Sequence, residues 1–305
     1  MKSLKLKGYQ DFELACHIWD KVESPIGVVQ IIHGMQEHSK RYNDFAKYLN
    51  TQGFIVFASD LRGHGNTALN NSLPWGYSDG DIFAEIVQDQ IILTQYLIDT
   101  YKLPITIFGH SFGSFIAQRY IIENSFKIKN VILCGSTYTN NAAFKMGYPL
   151  ACLLKTLGQK KKPAKLIEKI GIKGYGKGFP NGNWLSRDDK VWNKYSEDEM
   201  CGQEFPNNFY WSMFKHARKN YKNLKNIPYY LPILLISGTS DPVCGKNGIF
   251  KLFLHYGKAN KKVFLKTYLN ARHELLNETN KDEVYKDVAL FATNNKLEYV
   301  PVSIV

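Results

Sequence analysis

A pentapeptide of the form glycine-x-serine-x-glycine, Gly109 to Gly113, is the part of this sequence whose residue types most directly suggest chemistry. An apolar run, Ile105 to Phe108, precedes it, and a helical pattern, Phe112 to Glu123, follows it. A serine between a strand and a helix must adopt a strained backbone to project its hydroxyl, and side chains in place of the glycines would collide. The context predicts Ser111 as a nucleophile and disfavours the alternative, an ordinary glycine-containing turn.

A serine nucleophile requires a base and an acid, and both residue types follow Ser111 in the chain order serine, acid, histidine. Asp241 lies in a turn after the apolar run Leu231 to Ile236, where functional groups of open α/β sheets collect. His273 is the only histidine in the loop after the last predicted strand, Val263 to Tyr268. We predict that His273 is the general base and that Asp241 orients it. For Asp241 alone, a turn-forming aspartate before a proline is an equally good interpretation.

The loop from His33 to His38 follows the predicted strand Val28 to Ile32, the position from which a second donor for an oxyanion would come. The predicted donors are the backbone N–H groups of Met35 and Phe112. The helix that begins after the nucleophile also points its positive end at the developing negative charge.

The remaining histidines favour structural roles. We expect His33 and His38 to hold their loop, and the side chain of His110 to turn away from the site. Three more fall in an early strand, in the middle of the chain and in a helical pattern: His17, His216 and His255.

The elements that must position these groups alternate between short apolar runs and helical patterns. The runs are Val28 to Ile32, Phe54 to Ala58, Ile105 to Phe108, Val131 to Leu133, Ile233 to Ile236 and Val263 to Tyr268. The clearest helical patterns are Asp81 to Tyr101, Phe112 to Glu123 and Lys281 to Asn294. Continuous apolar runs are typical of strands buried on both faces, so the pattern predicts an α/β fold with a mostly parallel, doubly wound sheet. The opening segment to Trp19 alternates as an antiparallel edge pair would.

Between residues 141 and 228 this alternation stops, and lysine, glycine and aromatic residues increase. We predict a core formed by residues 1–140 and 229–305, with 141–228 inserted as a helical lid over one edge of the sheet. The segment holds 17 basic and 7 acidic residues, a balance of +10 against a net charge of +12 for the chain. Its best amphipathic candidate is Pro149 to Leu157, although packing into the core is the simpler interpretation of that stretch.

Composition excludes several other classes of protein. No segment is long and apolar enough to span a bilayer, and the amino terminus lacks the apolar region of a signal peptide, so we expect a soluble, cytoplasmic protein. The five cysteines show no CxxC spacing and predict free thiols rather than disulfides or a metal site. The basic charge is accompanied by no recognised nucleic-acid motif, so we expect no nucleic-acid partner.

Together these segments resemble the monoacylglycerol lipase and lysophospholipase branch of the α/β hydrolases, of the serine aminopeptidase S33 type. The resemblance spans nearly the whole chain and is weak in segment 141–228. It is carried by His33, Gly34, Glu37, His38, Ser39, Arg41 and Tyr42, by Asp60, Gly63, His64 and Gly65, and by the serine pentapeptide with the late Asp and His. One departure is Gln36, which stands where many relatives carry a small residue and is expected to narrow or polarise the acyl entrance.

The resemblance implies an α/β-hydrolase fold and hydrolysis of carboxylic esters such as monoacylglycerols or lysophospholipids, with no metal or cofactor. Short esters, thioesters and small amides remain alternatives, because the fold supports many chemistries. A non-catalytic ligand-binding protein is disfavoured since all three reacting residues are present, and dehalogenases and epoxide hydrolases carry aspartate where this chain has Ser111. The basic segment is either a solvated surface or a transient contact with anionic membranes.

Overall fold

Strands and helices alternate along most of the chain in the computed structural model, which describes residues 1–170, 172–245, 247–259 and 261–294. Eight strands form one sheet: β1 (Lys2–Lys7), β2 (Glu13–Trp19), β3 (Gly27–Ile32), β4 (Phe54–Ser59), β5 (Ile105–His110), β6 (Asn130–Cys134), β7 (Ile233–Gly238) and β8 (Val263–Tyr268). Their spatial order is β1-β2-β4-β3-β5-β6-β7-β8. Strands β3 to β8 pair in parallel, whereas β1 and β2 form an antiparallel pair at one edge.

Eleven helices accompany the strands within the described residues. They are α1 (Asn43–Thr51), α2 (Gly65–Asn70), α3 (Ile82–Tyr101), α4 (Phe112–Asn124), α5 (Ala142–Thr156), α6 (Lys165–Ile170), α7 (Ile172–Tyr175), α8 (Asp189–Glu197), α9 (Asn207–Ala217), α10 (Gly248–Lys258) and α11 (Lys281–Asn294). Apolar side chains of α1 and α11 pack on one face of the sheet, and those of α3, α4 and α10 pack on the other. Successive residues of a strand point to opposite faces, so the central strands must be apolar throughout.

The register brings the carboxyl ends of the central strands to one edge of the sheet. Ile32 at the end of β3 pairs with Gly109 of β5, and Cys134 at the end of β6 pairs with Ile236 of β7. The loops that follow these strands therefore leave the sheet close together, as ligand-binding loops of open α/β sheets do.

The predicted mostly parallel sheet covered by helices is confirmed. The strand Val263–Tyr268 and the helix Lys281–Asn294 have the predicted bounds, and the other predicted elements are right to within two residues. The opening segment forms the antiparallel edge pair that its alternation predicted.

Segment 141–228 contains five helices, α5 to α9, and none of the eight strands. The predicted amphipathic stretch forms the second half of α5. Ala151 is buried in it, but Leu153 and Leu157 are exposed, so core packing accounts for only one face of this helix. Within the ranges that the structure describes, no helix has the length and apolar character required to cross a bilayer.

Candidate active site

Ser111 occupies a sharp turn between β5 and α4. Its backbone has φ 51° and ψ −118°, a region that residues other than glycine rarely adopt. The turn also brings β5, α4 and the neighbouring strand β3 into close contact. A Cβ atom on Gly109 would lie 2.7 Å from the Gly113 carbonyl oxygen, and one on Gly113 would lie 2.1 Å from the Ile32 carbonyl oxygen. Both glycines are therefore required by the backbone packing that holds Ser111 in this conformation.

Asp241 and His273 are hydrogen-bonded in the loops that follow β7 and β8. The His273 Nδ1 atom lies 2.8 Å from the Asp241 Oδ2 atom, and both side chains are buried. The Val243 N–H and the Cys244 thiol also donate to the carboxylate, at 2.8 and 3.2 Å. A Cβ atom on Gly135 would lie 2.9 Å from His273 Cε1, so the lack of a side chain at Gly135 makes room for the imidazole.

The pKa values of the pair are set by burial and by the pair itself. Burial lowers the pKa of His273, but the charge of Asp241 and its hydrogen bond outweigh that effect, so the pKa lies above its ordinary value of 6.5. Burial raises the pKa of Asp241, yet His273 and the surrounding donors bring it below its ordinary value. Asp241 therefore stays ionised and favours a proton on His273 Nδ1.

The other imidazole nitrogen faces no partner within the part of the chain that the structure describes. His273 Nε2 is buried and makes no hydrogen bond there. Ser111 lines the same cavity as His273, but its hydroxyl is not hydrogen-bonded to the imidazole. The structure thus joins His273 to Asp241 and places Ser111 in their cavity. Hydrogen bonds to a nucleophile are often long or absent before substrate binds.

The two predicted oxyanion donors, Met35 and Phe112, also line this cavity. Neither backbone N–H donates a hydrogen bond to another described residue. A Cβ atom on Gly34 would lie 3.4 Å from Ser111 Cβ, so the loop before Met35 runs directly beside the serine. Two unpaired amides near a nucleophile are what stabilisation of an oxyanion requires.

A buried ionic network connects the Met35 loop with the histidine loop. Arg41 donates to Glu37 at 2.7 Å and, through two nitrogens, to Glu274 at 2.7 Å. Glu37 also accepts the Gly34 N–H at 2.6 Å and the Tyr42 hydroxyl at 2.8 Å. Burial raises the pKa of Glu37, but Arg41 and neighbouring groups bring it down to about 2, so it remains charged. The motif indicated Glu37 and Arg41, whereas no pattern in the sequence pointed to Glu274.

The expectation that His110 turns away from the site is wrong. Its ring centroid lies 4.8 Å from that of His273, and the side chain lines the cavity. Burial and the neighbouring His273 lower the pKa of His110 to about 4, so it is neutral near pH 7 and packs as an uncharged ring. The sequence could not show this, because a side chain at the end of a strand turns toward whichever neighbour the tertiary fold supplies.

His33 and His38 occupy bonds within and around their loop. His33 Nδ1 lies 2.8 Å from the Gly34 carbonyl oxygen, and its Nε2 accepts the Leu61 N–H at 2.9 Å. His38 Nε2 lies 2.8 Å from Asp198 Oδ2. These bonds agree with roles in holding the loop.

Trp184 is a site residue that the sequence reasoning missed. Its ring centroid lies 5.1 Å from that of His273, and its carbonyl oxygen accepts the His273 N–H at 3.4 Å. The next carbonyl, of Leu185, accepts the Glu274 N–H at 2.7 Å. These contacts join segment 141–228 to a loop almost ninety residues later, and no local pattern around Trp184 reveals them.

The cavity above Ser111 has a volume of about 440 Å³, within the range of small-molecule sites. Its walls are mainly apolar, and its polar groups cluster near the serine and the buried ionic network. Apolar side chains from α4, α5, α6 and α9 line it: Phe112, Phe115, Phe144, Met146, Leu150, Ile167, Met213 and Phe214. Such a cavity can bury a hydrocarbon chain while its reacting end lies at Ser111.

One group of possible metal ligands occurs in the described residues, namely His38, Asp198 and Cys201, whose donor atoms lie within 4.8 Å of one another. His38 and Asp198 already bond to each other. The group lies outside the set of side chains that surround Ser111, and nucleophilic attack assisted by a histidine requires no metal.

The sequence profile of the serine aminopeptidase S33 family matches residues 23–280. The chain belongs to this family. A Monkeypox virus monoglyceride lipase homolog is 27% identical over 276 residues, covering 90% of each chain. Human monoglyceride lipase is 26% identical over 266 residues, covering 87% of this chain and 81% of its own. The crystal structure of a thermostable carboxyl esterase from Bacillus coagulans in complex with glycerol matches at 26% identity and a TM-score of 0.86, covering 95% of this S33 chain and 97% of the esterase.

These matches confirm the predicted family and the predicted α/β-hydrolase fold. The profile covers the serine turn, the Asp241 loop and the His273 loop, so the family assignment includes the residues that form the site.

Proposed function

We propose that this member of the S33 family is a serine hydrolase that cleaves carboxylic esters of the monoacylglycerol type. The observation that carries the proposal is the hydrogen bond between His273 Nδ1 and Asp241 Oδ2. It leaves His273 Nε2 without a partner among the described residues, in the cavity that Ser111 lines. The monoglyceride lipases of human and other organisms among its relatives confirm the predicted reaction class.

The reaction proceeds in two halves. His273 Nε2 accepts the hydroxyl proton as Ser111 Oγ attacks the ester carbonyl carbon, and it then gives that proton to the departing alcohol oxygen. Water attacks the acyl group on Ser111 with the same imidazole as base, which releases the fatty acid and restores the serine hydroxyl. Asp241 keeps the proton on Nδ1 in the resting state and stabilises the imidazolium that forms in each half.

The negative charge on the carbonyl oxygen is stabilised by the Met35 and Phe112 amides. Each such donor contributes roughly 3 kcal/mol to transition-state stabilisation, because the amides are fixed before charge develops. The start of α4 adds its positive end, since Phe112 is the first residue of that helix.

The shape of the cavity favours a single acyl chain bound to a small polar head group. The apolar walls accept the hydrocarbon chain, and the cluster of Glu37, Arg41 and Glu274 lies close to His273, where a hydroxylated leaving group would depart. Short esters and thioesters share the reacting carbonyl, so chain length and head group are the properties to measure.

We further propose that residues 141–228 form a lid over a core of residues 1–140 and 229–305. Helices α5 and α9 supply cavity walls through Phe144, Leu150 and Met213. The outer face of α5 exposes Met146 and Leu153, Leu157 directly after the helix is exposed too, and Met146 also borders the cavity.

The exposed face of α5 supports transient docking of the lid on an anionic lipid surface. Lys161, Lys162 and Lys165 are exposed beyond the end of this helix. Apolar side chains that enter an interface and lysines that approach lipid phosphates act together, each lysine contributing roughly 1 kcal/mol. Docking in this orientation would place the cavity mouth beside its lipid substrate.

The function is tested by incubating purified protein with monoacylglycerols of graded chain length and measuring released glycerol and fatty acid. We expect stoichiometric release by the native protein and none above background by Ser111→Ala. A matched control, Ser3→Ala on the edge strand β1, should retain full activity. Equal release by the native protein and Ser111→Ala would rule the proposal out.

A further inference from the structure

We infer that Gln36 is a positioning residue, which fastens the loop bearing the Met35 amide to segment 141–228, so that the oxyanion hole is complete only while that segment is docked. The inference rests on the proposed function, since it concerns the stabilisation of the oxyanion. It goes beyond that function by making catalysis depend on a contact between two parts of the chain far apart in sequence.

The backbone of Gln36 is held in a sparsely populated conformation. Its φ is 59°, in the left-handed region, directly after Met35, which lines the cavity and whose N–H donates to no described residue. A residue other than glycine in that region costs about 1 kcal/mol or more and persists where surrounding contacts fix it. The contacts around Gln36 therefore hold the chain on the carboxyl side of Met35, whereas on its amino side His33 Nδ1 lies 2.8 Å from the Gly34 carbonyl oxygen.

The main chain of Gln36 is fixed by two donors from segment 141–228. The Gly202 N–H donates to its carbonyl oxygen at 2.9 Å, and the Tyr195 hydroxyl donates to the same oxygen at 3.2 Å. A carbonyl oxygen has two lone pairs, so both are engaged by one neighbouring segment.

The side chain of Gln36 reaches into the same segment and is buried. Its Nε2 donates to the Gln203 carbonyl oxygen at 2.8 Å and to Glu168 Oε1 at 3.2 Å. Glu168 is itself buried and also accepts from the Phe205 N–H at 3.3 Å and the Tyr210 hydroxyl at 2.9 Å. Among the described residues no basic side chain pairs with this carboxylate, so its donors must satisfy it.

The two neighbours of Met35 are thus held from opposite sides. The Gly34 N–H is bound by Glu37 within the loop, and Gln36 is bound by segment 141–228. If the segment lifts, the Gln36 hydrogen bonds break and the strained backbone at Gln36 can relax. We expect this relaxation to displace Met35 and its N–H from the oxyanion position, although His33 still holds the Gly34 carbonyl oxygen. Opening of the segment then switches off the chemistry as well as exposing the cavity.

The sharpest test is Gln36→Asn, because asparagine tolerates the left-handed conformation and keeps the amide but is one methylene too short to reach Glu168. We expect kcat on a soluble short-chain ester to fall about 10- to 100-fold, the loss typical of a catalytic group displaced by about 1 Å. KM should change little, and the melting temperature should fall modestly because the buried Glu168 loses a donor. Asn193→Ala, which removes an exposed amide from α8, is the matched control and should retain full kcat.

A second measurement separates positioning from a merely structural role. A trifluoromethyl ketone forms an oxyanion on Ser111, so its affinity for Gln36→Asn should fall by the same factor as kcat. Glu168→Ala should reproduce the loss of kcat. Glu168→Gln should retain most of the native kcat, because its amide oxygen still accepts from Gln36. The Gln36→Asn/Glu168→Ala double variant should have a kcat no lower than that of either single variant.

The outcomes are distinguishable. If the native protein hydrolyses the ester and Gln36→Asn has unchanged kcat and ketone affinity, this inference is wrong and the proposed function stands. A variant that loses melting temperature while kcat is unchanged also overturns it. A native protein that hydrolyses no ester overturns the proposed function and this inference with it.

Discussion

At the scale of single residues, the site depends on the different environments of the two ring nitrogens of His273. Nδ1 of His273 is hydrogen-bonded to a buried, ionised Asp241, whereas Nε2 is buried without a partner among the described residues, in the cavity that Ser111 also lines. The bond to Asp241 fixes both the orientation and the tautomer of the ring. The unpaired nitrogen is therefore the one that can accept the serine proton.

This division of roles predicts unequal losses for the two partner residues. His273→Ala removes the base and should lower kcat on a soluble ester about as much as Ser111→Ala does, by roughly 10⁶-fold. Asp241→Asn leaves a base in the wrong tautomer and should lower kcat roughly 10⁴-fold. Steady-state kinetics with the melting temperature as control measures both. Asp241→Asn with native kcat would contradict the role given to the aspartate.

The raised pKa of His273 predicts a pH dependence with a defined sign. A protonated imidazole cannot act as base, so kcat/KM should fall as pH decreases through one ionisation that lies above 6.5 in the free protein. We expect His33→Ala and His38→Ala to change the rate but keep that ionisation. If the ionisation disappears in His38→Ala but persists in His273→Ala, the base is His38 and not His273.

Residue types and their order select the candidate reacting groups, whereas the surroundings of these groups were not predictable. Ser111, Asp241 and His273 stand in loops whose positions follow from the strands before them. His110 and Trp184 contact His273 through the tertiary fold, and neither position carries a local signal. The same holds for Gln36, whose departure from its relatives was visible but whose partners lie more than a hundred residues away.

At the scale of secondary structure, the serine turn is specified by the contact between β3, β5 and α4. Gly113 lies where α4 crosses the end of β3, so closely that a Cβ atom would meet the Ile32 carbonyl oxygen at 2.1 Å. Backbone atoms cannot yield as a flexible side chain can, and the helix and strand would have to separate.

Gly113→Ala should therefore destabilise the fold as well as the site. We expect a loss of at least about 1–3 kcal/mol in the free energy of unfolding, the usual cost of overpacking a core, measured by urea denaturation. Gly257→Ala in α10, where a Cβ atom would meet no atom within 4 Å, is the matched control and should be neutral or stabilising. Equal destabilisation by both substitutions would contradict the close contact.

The elements themselves differ in how far the sequence predicted them. Strands β3 to β7 are buried along their whole length, so their apolar runs gave bounds correct to within two residues. Helices α6 to α9 span 11 residues or fewer and are joined by glycine-rich or charged turns. Their periodicity was too brief to locate them, although the change in composition marked the segment that contains them.

At the scale of the whole molecule, charge is distributed unevenly between the two parts of the chain. Residues 141–228 carry a balance of +10, and the remaining residues, with 22 basic and 20 acidic side chains, are nearly neutral. Part of this charge is engaged internally, since Lys160 donates to the Asp79 carbonyl oxygen and Lys155 lies 3.0 Å from the centre of the Trp211 ring. The exposed remainder is available to an anionic surface.

Replacing Lys161, Lys162 and Lys165 with Gln should weaken hydrolysis of monoacylglycerol in anionic vesicles several-fold at low salt, while turnover of a soluble short-chain ester stays unchanged. Lys160 is left in place because its substitution would break the bond to Asp79. Added salt should reproduce the loss in the native protein.

A triple variant of exposed core lysines, Lys21, Lys47 and Lys251 to Gln, is the matched control for the same change in net charge. It should behave as the native protein on both substrates. If the two triple variants act alike on vesicles, the segment's charge is a solvated surface and the docking proposal is wrong.

We propose that Ser111 is the nucleophile and that His273 activates it. The most direct measurement is mass spectrometry of the protein after brief exposure to a fluorophosphonate, with digestion to locate the modified residue. We predict one adduct per chain, on Ser111, that forms far more slowly in His273→Ala and not at all in Ser111→Ala. An adduct on a different residue, or native labelling that persists in Ser111→Ala, would contradict the claim.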